Sequence, residues 1–80
     1  MIKVYVGNLS RHISDAQFHD LALQFGKAES VSVPRDVETG RGKGYGYLEF
    51  ADRSDARAVI EGLDGKDIDG QILNASEAWS

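Results

Sequence analysis

All three tyrosines of the chain, Tyr5, Tyr45 and Tyr47, fall in short segments of alternating character. In residues 2–6, Val4 and Val6 share one side while Lys3 and Tyr5 share the other. In residues 44–50, Gly44, Gly46, Leu48 and Phe50 share one side, and Tyr45, Tyr47 and Glu49 the other. Alternation of this kind reads as half-buried strand, so a core on the aliphatic side sends the tyrosines outward. One exposed ring needs no explanation, but three on adjacent strands mark a binding surface. Flat rings held on a rigid sheet stack against unpaired nucleobases, at about 1–3 kcal/mol per base. Lys43 flanks the trio on the same side, and Arg35 and Arg41 lie in the neighbouring loop, within reach of phosphates. The plain structural alternative is that the rings pack across strands or lie under a C-terminal segment. Cross-strand packing is compatible with stacking on a ligand.

Other chemistry finds little support. Gly42-Lys43-Gly44 has the look of a nucleotide loop, but the longer glycine spacing, the Ser or Thr after the lysine and a following helix are missing. Asp64, Asp67 and Asp69 do not keep calcium-loop spacing and read as turn-forming, solvated acids. His12 and His19 have no second ligand pair, and with no cysteine there is neither a disulfide framework nor a thiolate metal site. The acid nearest the tyrosines, Glu49, faces outward, and no nucleophile, base and orienting group come together. The expectation is a non-enzyme without cofactor or metal.

The elements that hold these residues follow from caps and periodicity. Ser14 with Gln17 three residues on forms a capping box, placing a helix start at about residue 14. Phe18, Leu21, Ala22 and Phe25 then line one helical face, and Gly26 ends it. Val31 and Val33 predict a short strand over 30–34, with Pro34 at its end because proline cannot donate to a ladder. Residues 35–42 form a polar hairpin loop, with Gly40 suited to a left-handed position. Asp52 and Ser54 compete to cap a second helix, whose apolar set is Ala56, Val59, Ile60 and Leu63. A turn-rich linker around Ile68 leads to a last strand over 72–76, with Leu73 and Ala75 inward. Gly44 and Gly46 are expected to let the third strand approach the helices. The order β-α-β-β-α-β predicts an α+β, ferredoxin-like sandwich, a four-stranded antiparallel sheet with two helices on one face. Its first and third strands are then the central pair, which sets Tyr5 beside Tyr45 and Tyr47.

Eighty residues with 41% hydrophobic and 28% charged side chains suit one small globular domain over 1–80. Apolar runs fall far short of the roughly 20 residues a membrane span needs. Met1 leads directly into the first strand, which reads as domain rather than signal peptide and points to the cytoplasm. The net charge of −4 is unevenly placed: residues 1–50 carry six basic and six acidic side chains, residues 51–80 three and seven. The acidity, including Glu61, Asp64, Asp67 and Asp69, belongs to the second helix and the linker after it, and local charge governs binding more than the sum.

Val4-Tyr5-Val6-Gly7-Asn8-Leu9 and Lys43-Gly44-Tyr45-Gly46-Tyr47-Leu48-Glu49-Phe50 resemble the hexapeptide and octapeptide of the RNA recognition motif. The likeness covers essentially the whole chain and is greatest to short single-domain bacterial members, cyanobacterial ones especially. It implies base-stacking roles for Tyr5 and Tyr47, with Tyr45 wedging between sugars. Lys43 becomes a backbone or base contact, and Arg35, Arg41, Asn74 and Ser76 become further polar contacts; Lys3, which shares the outward side of its strand with Tyr5, is expected to join them. Some positions depart from the pattern. Ala22 stands where a Phe is frequent, with Phe18 able to compensate in volume, and Gln71 where a basic residue is usual. The chain then runs into Glu77, Ala78, Trp79 and Ser80 rather than into basic residues, which strips charge from one rim.

The expected ligand is single-stranded RNA, bound modestly and with shallow salt dependence, with single-stranded DNA bound more weakly and duplex worse. Trp79 leaves several readings open: cover at the sheet edge, a fourth ring over the open face, an anchor for a protein partner, or a free end. The rival function is a protein-interaction module on the same fold, docking through the acidic helix surface or Trp79. The expected state is a monomer.

Overall fold

The structure, a computed structural model, describes residues 1–78. The readings placed on Trp79 lie outside the described residues. The chain forms β1 (Ile2–Gly7), α1 (Asp15–Leu23), β2 (Ser30–Ser32), β3 (Tyr45–Phe50), α2 (Arg53–Leu63), β4 (Asp67–Ile68), β5 (Gln71–Ile72) and β6 (Asn74–Ala78). Four strands make an antiparallel sheet in the order β2-β3-β1-β6, so β1 and β3 are the central pair. This is the ferredoxin-like arrangement that the sequence pattern predicts, with a small β4–β5 hairpin added before the last strand.

Local chemistry sets the helix ends. The Ser14 hydroxyl accepts the Gln17 N–H at 3.1 Å, and the Gln17 side chain accepts the Ser14 N–H at 2.9 Å. Two otherwise unpaired donors are satisfied together at the α1 start. The helix stops at Leu23, short of Gly26. Phe25 and Gly26 both donate to the Ala22 carbonyl, at 3.0 and 3.1 Å, so the last turn tightens and closes before the glycine. At α2 the cap is Asp52, whose carboxylate accepts both the N–H and the hydroxyl of Ser54, at 2.8 and 2.7 Å. Ser54 reinforces the cap instead of competing for it.

The core lies between the helices and one sheet face. Val4, Val6, Leu48, Phe50, Leu73 and Ala75 meet Phe18 and Ala22 of α1 and Ala56, Val59 and Leu63 of α2. Leu21, Phe25 and Ile60 complete the helical stripes at the margin, partly buried. Gly46 is needed here: a Cβ at that position would sit 2.6 Å from Cε2 of Phe18. Gly44 has a different role from the expected one. It precedes β3 with φ +92°, and a Cβ there would meet only the Leu9 carbonyl at 3.9 Å. Its requirement is a left-handed backbone, which glycine adopts without penalty, and not close approach to a helix.

Three segments differ from the sequence pattern. β2 ends at Ser32, two residues early, because Pro34 offers no N–H to β3; its carbonyl instead accepts the Lys43 N–H at 3.0 Å. The linker after α2 folds into the β4–β5 hairpin around Asp69 and Gly70, both at positive φ (52° and 84°), with the Asp67 carboxylate accepting the Gly70 N–H at 2.9 Å. That hairpin takes Ile72, which is 60% exposed, and so moves the last strand to Asn74–Ala78. Leu73 and Ala75 still point inward, as their spacing predicts.

Candidate nucleic-acid interface

The face opposite the helices is organised in rows across the sheet. Tyr5 on β1 stands between Tyr47 on β3 and Ser76 on β6, with Ser32 of β2 beyond Tyr47. One row toward the loops, Gly7 stands between Tyr45 and Asn74. One row the other way, Lys3 stands between Glu49 and Ala78, with Ser30 beyond Glu49. The sheet therefore brings Tyr5, Tyr45, Tyr47, Lys3, Asn74 and Ser76 onto one surface.

The three rings touch one another and remain half-exposed. Tyr5 and Tyr45 lie nearly parallel, centroids 6.0 Å apart and planes inclined by 30°. Tyr47 stands edge-on to both, at 5.8 Å from each and at 61° and 81°. These are favourable aromatic geometries in their own right, so cross-strand packing and an open stacking surface coexist. Tyr5 lies along its own strand over Gly7: a Cβ at Gly7 would fall 2.6 Å from the Tyr5 hydroxyl and collide with the Asn74 side-chain oxygen. The missing side chain at Gly7 is what lets the Tyr5 ring lie flat. Lys3 places its ammonium 4.8 Å from the centre of the Tyr47 ring, a cation–π contact that puts positive charge beside an aromatic surface.

The basic residues divide. Arg41 and Lys43 are exposed at the rim and line one shallow depression together with Arg11. Arg35 does not join them. Its guanidinium donates to the Ile13 carbonyl at 3.0 Å and pairs with Asp15 at 3.3 Å, at the start of α1. It anchors the β2–β3 loop to the helix layer instead of standing free for a phosphate. Arg11 is the residue that sequence reasoning missed. The β1–α1 loop meets the β2–β3 loop through the Gly42 N–H, which donates to the Arg11 carbonyl at 2.9 Å. A second depression, about 720 Å³, runs from Arg11 and Lys43 past Asn8 and Gln71 to Asn74 at the edge of the ring surface.

The β2–β3 loop is itself closed and ordered. Asp36 accepts the N–H groups of Glu38 and Thr39 through its carboxylate, at 2.8 and 3.3 Å, and its backbone pairs with Arg41 and Gly40. The Glu38 amide first, then that of Thr39, holds the Asp36 carboxyl below the ordinary aspartate range. Val37, fully exposed, is at the tip.

Residues 4–74 match the family model described as the RNA recognition motif. The chain belongs to that family. It is 36% identical over 77 residues to the RNA-binding protein RbpA of Synechocystis, covering 96% of this chain and 76% of RbpA. A chloroplast RNA-binding protein of Arabidopsis thaliana, CP29B, is 37% identical over 76 residues; there the match covers 95% of this chain but 26% of the relative. Among solved structures, RNA binding protein PG1 superposes with a TM-score of 0.89 at 36% identity, covering 100% of this chain and 96% of that one. The RNA recognition motif of Rna15, solved with bound RNA (GU), gives 0.90 at 26% identity, covering 98% and 83%.

Among the described residues no three His, Cys, Asp or Glu side chains come together as a metal site, and no helix is long and apolar enough to cross a membrane.

Proposed function

We propose that this chain binds single-stranded RNA without catalysis, stacking bases on Tyr5 and Tyr47, with Tyr45 beside the sugars. The observation that carries this reading is the trio of half-exposed rings, 5.8–6.0 Å apart, on the sheet face opposite the helices. The RNA-binding description of RbpA and the RNA held by the Rna15 domain support it. Lys43, Arg41 and Arg11 supply phosphate contacts at the loop rim, Lys3 supplies one beside Tyr47, and Asn74 and Ser76 meet base edges along β6. Single-stranded DNA binds more weakly and duplex worse, since the rings need unstacked bases. We propose further that it acts on transcripts after their synthesis, as a monomer in the cytoplasm of a bacterium; RbpA and RbpB are bacterial relatives, and CP29B is a chloroplast one.

The test is an NMR titration of the labelled protein with short single-stranded RNA at two salt concentrations. Shifts should cluster on Tyr5, Lys43, Tyr45 and Tyr47, and Y5A and Y47A should lose them while keeping a folded spectrum. If the tyrosine variants bind as the parent does, and changes on the acidic α2 surface or at Trp79 abolish association with a protein, the protein-partner reading replaces this one.

A further inference from the structure

Glu49 is an acid among the rings. It lies two residues beyond Tyr47 on β3 and on the same face, about 6.8 Å along the strand at the usual strand rise. A carboxylate there repels the phosphates of any nucleic acid that reaches the surface, so its place asks for a compensating role. Pairing with Lys3, directly opposite in register, is the obvious one. The structure does not use it. The Lys3 ammonium lies over the Tyr47 ring, and the ion pairs among the described residues are Arg35–Asp15 and Arg53–Glu77. Instead, the Ser30 hydroxyl on the edge strand donates to one Glu49 carboxylate oxygen at 2.8 Å. That bond fixes the carboxylate; the bonded oxygen keeps a second acceptor site and the other oxygen keeps both, so each can take a donor from outside. The Ser30 proton is committed, so its hydroxyl too offers only lone pairs outward. Beside Tyr47, the surface is rich in acceptors.

We infer that Glu49 reads the base held on Tyr47 and selects guanine, an inference that rests on the RNA-binding reading above. Guanine alone among the four bases presents two neighbouring donors on its pairing edge, N1–H and the 2-amino group, which match the two oxygens of a carboxylate. Adenine and cytosine present one amino group beside a ring nitrogen that carries a lone pair. Uracil presents one N–H between two carbonyls, both repelled by the carboxylate. A base settling on Tyr47 displaces the Lys3 ammonium from the ring and frees it for the adjoining phosphate.

The experiment compares three pentanucleotides, UUGUU, UUUUU and UUIUU, where inosine is guanosine without its 2-amino group. Each is titrated into the parent protein, Glu49→Gln and Ser30→Ala, with amide spectra confirming the fold of each variant. The parent should bind UUGUU about tenfold more tightly than UUUUU, as a bidentate base contact gives, with UUIUU between them. Glu49→Gln should bring UUGUU and UUIUU together, whatever it does to affinity overall through the lost charge. Ser30→Ala should narrow the same gap by freeing the carboxylate to turn. Equal binding of all three by the parent, or a preference for UUGUU that survives in Glu49→Gln, overturns the inference and leaves RNA binding standing. Failure of all three to bind overturns the RNA reading and this inference with it.

Discussion

Along β3, Leu48 and Phe50 are fully enclosed against the helices, while Tyr45 and Tyr47, one residue out of phase on the same strand, stay half-exposed. Both faces are rich in large side chains, and both are packed. The inner face closes on Phe18, Val59 and Leu63 and leaves no side unmatched. The outer face packs its rings on each other, edge to face and offset, with Lys3 over Tyr47 and Tyr5 over Gly7, and each ring stays half-exposed. Charge follows the same division. Lys3, Lys43, Arg41 and Arg11 stand on or around the ring surface, whereas the acidic excess of the chain lies in residues 51–80, with seven acidic side chains to three basic. A chain with net charge −4 can thus present a surface suited to a polyanion. One strand, two faces: the inner decides whether the domain folds, and the outer decides what it holds.

The sharpest way to break that division is to cross it. Phe50→Ala empties a fully buried site on the inner face and should cost about 3–5 kcal/mol, measured by urea unfolding. RNA affinity should fall only to the extent that the protein is unfolded. If instead the variant stays stable but loses RNA, the faces are coupled in a way the packing does not show. Next in size, Tyr47→Ala or Tyr5→Ala should weaken single-stranded RNA by about 1–3 kcal/mol per stacked base. Unfolding stability should fall less than in Phe50→Ala, by the lost ring contacts of about 0.5–1.5 kcal/mol each, because the rings are only partly buried.

How far these two faces could be read from the sequence differs with the range of the interactions. Alternation at 2–6 and 44–50 sorted Val4, Val6, Leu48 and Phe50 from Tyr5, Tyr45 and Tyr47 correctly, since strand period is a local property. The Ser14 capping box was equally legible. The β4–β5 hairpin was also signalled, by Asp69-Gly70 between short apolar stretches, but each arm is only two residues long, too short for alternation to register. Missing it shifted the last strand. Long-range contacts were the real limit. Nothing near Arg35 in sequence announces that Ile13 and Asp15 hold its guanidinium, and nothing near Arg11 announces that Gly42 brings it to Lys43. The rings could be found from their own strand; the partners of the loop cations could not.

Gly7 gives a finer version of the comparison, because stability and binding should move in opposite directions there. Alanine in a strand costs less backbone entropy than glycine, by roughly 0.5–1 kcal/mol. The atoms that its Cβ would strike are the ends of the Tyr5 and Asn74 side chains, which can swing away. Gly7→Ala should therefore leave unfolding stability equal or slightly higher. Tyr5 can no longer lie flat, however, so RNA affinity should drop a few-fold. A variant that binds as well as the parent would show that the resting position of Tyr5 is not the one RNA uses.

The smallest expected effect is confined to the rim. The folded Asp36 carboxyl sits below the ordinary aspartate range because the Glu38 and Thr39 amides donate to its charged form. The sign follows: this contribution to loop order is complete above the pKa of the unfolded aspartate and is lost as the pH falls through the lower, folded value. The Asp52 carboxyl, lowered chiefly by the Ser54 hydroxyl and then by its N–H, weakens the α2 cap over the same acidic range. The two are separable by where they report. Acidification should move the Glu38 and Thr39 amide resonances together, and Asp36→Asn should abolish that titration while leaving the one at Ser54. Because Arg41 and Lys43 flank the same loop, Asp36→Asn at neutral pH should also loosen the rim and reduce RNA affinity slightly. The enclosed inner face contains no buried charged side chain among the described residues. Its amides should therefore stay still through the Asp36 transition, and movement there in step with Glu38 would show that the loop and the core unfold as one unit.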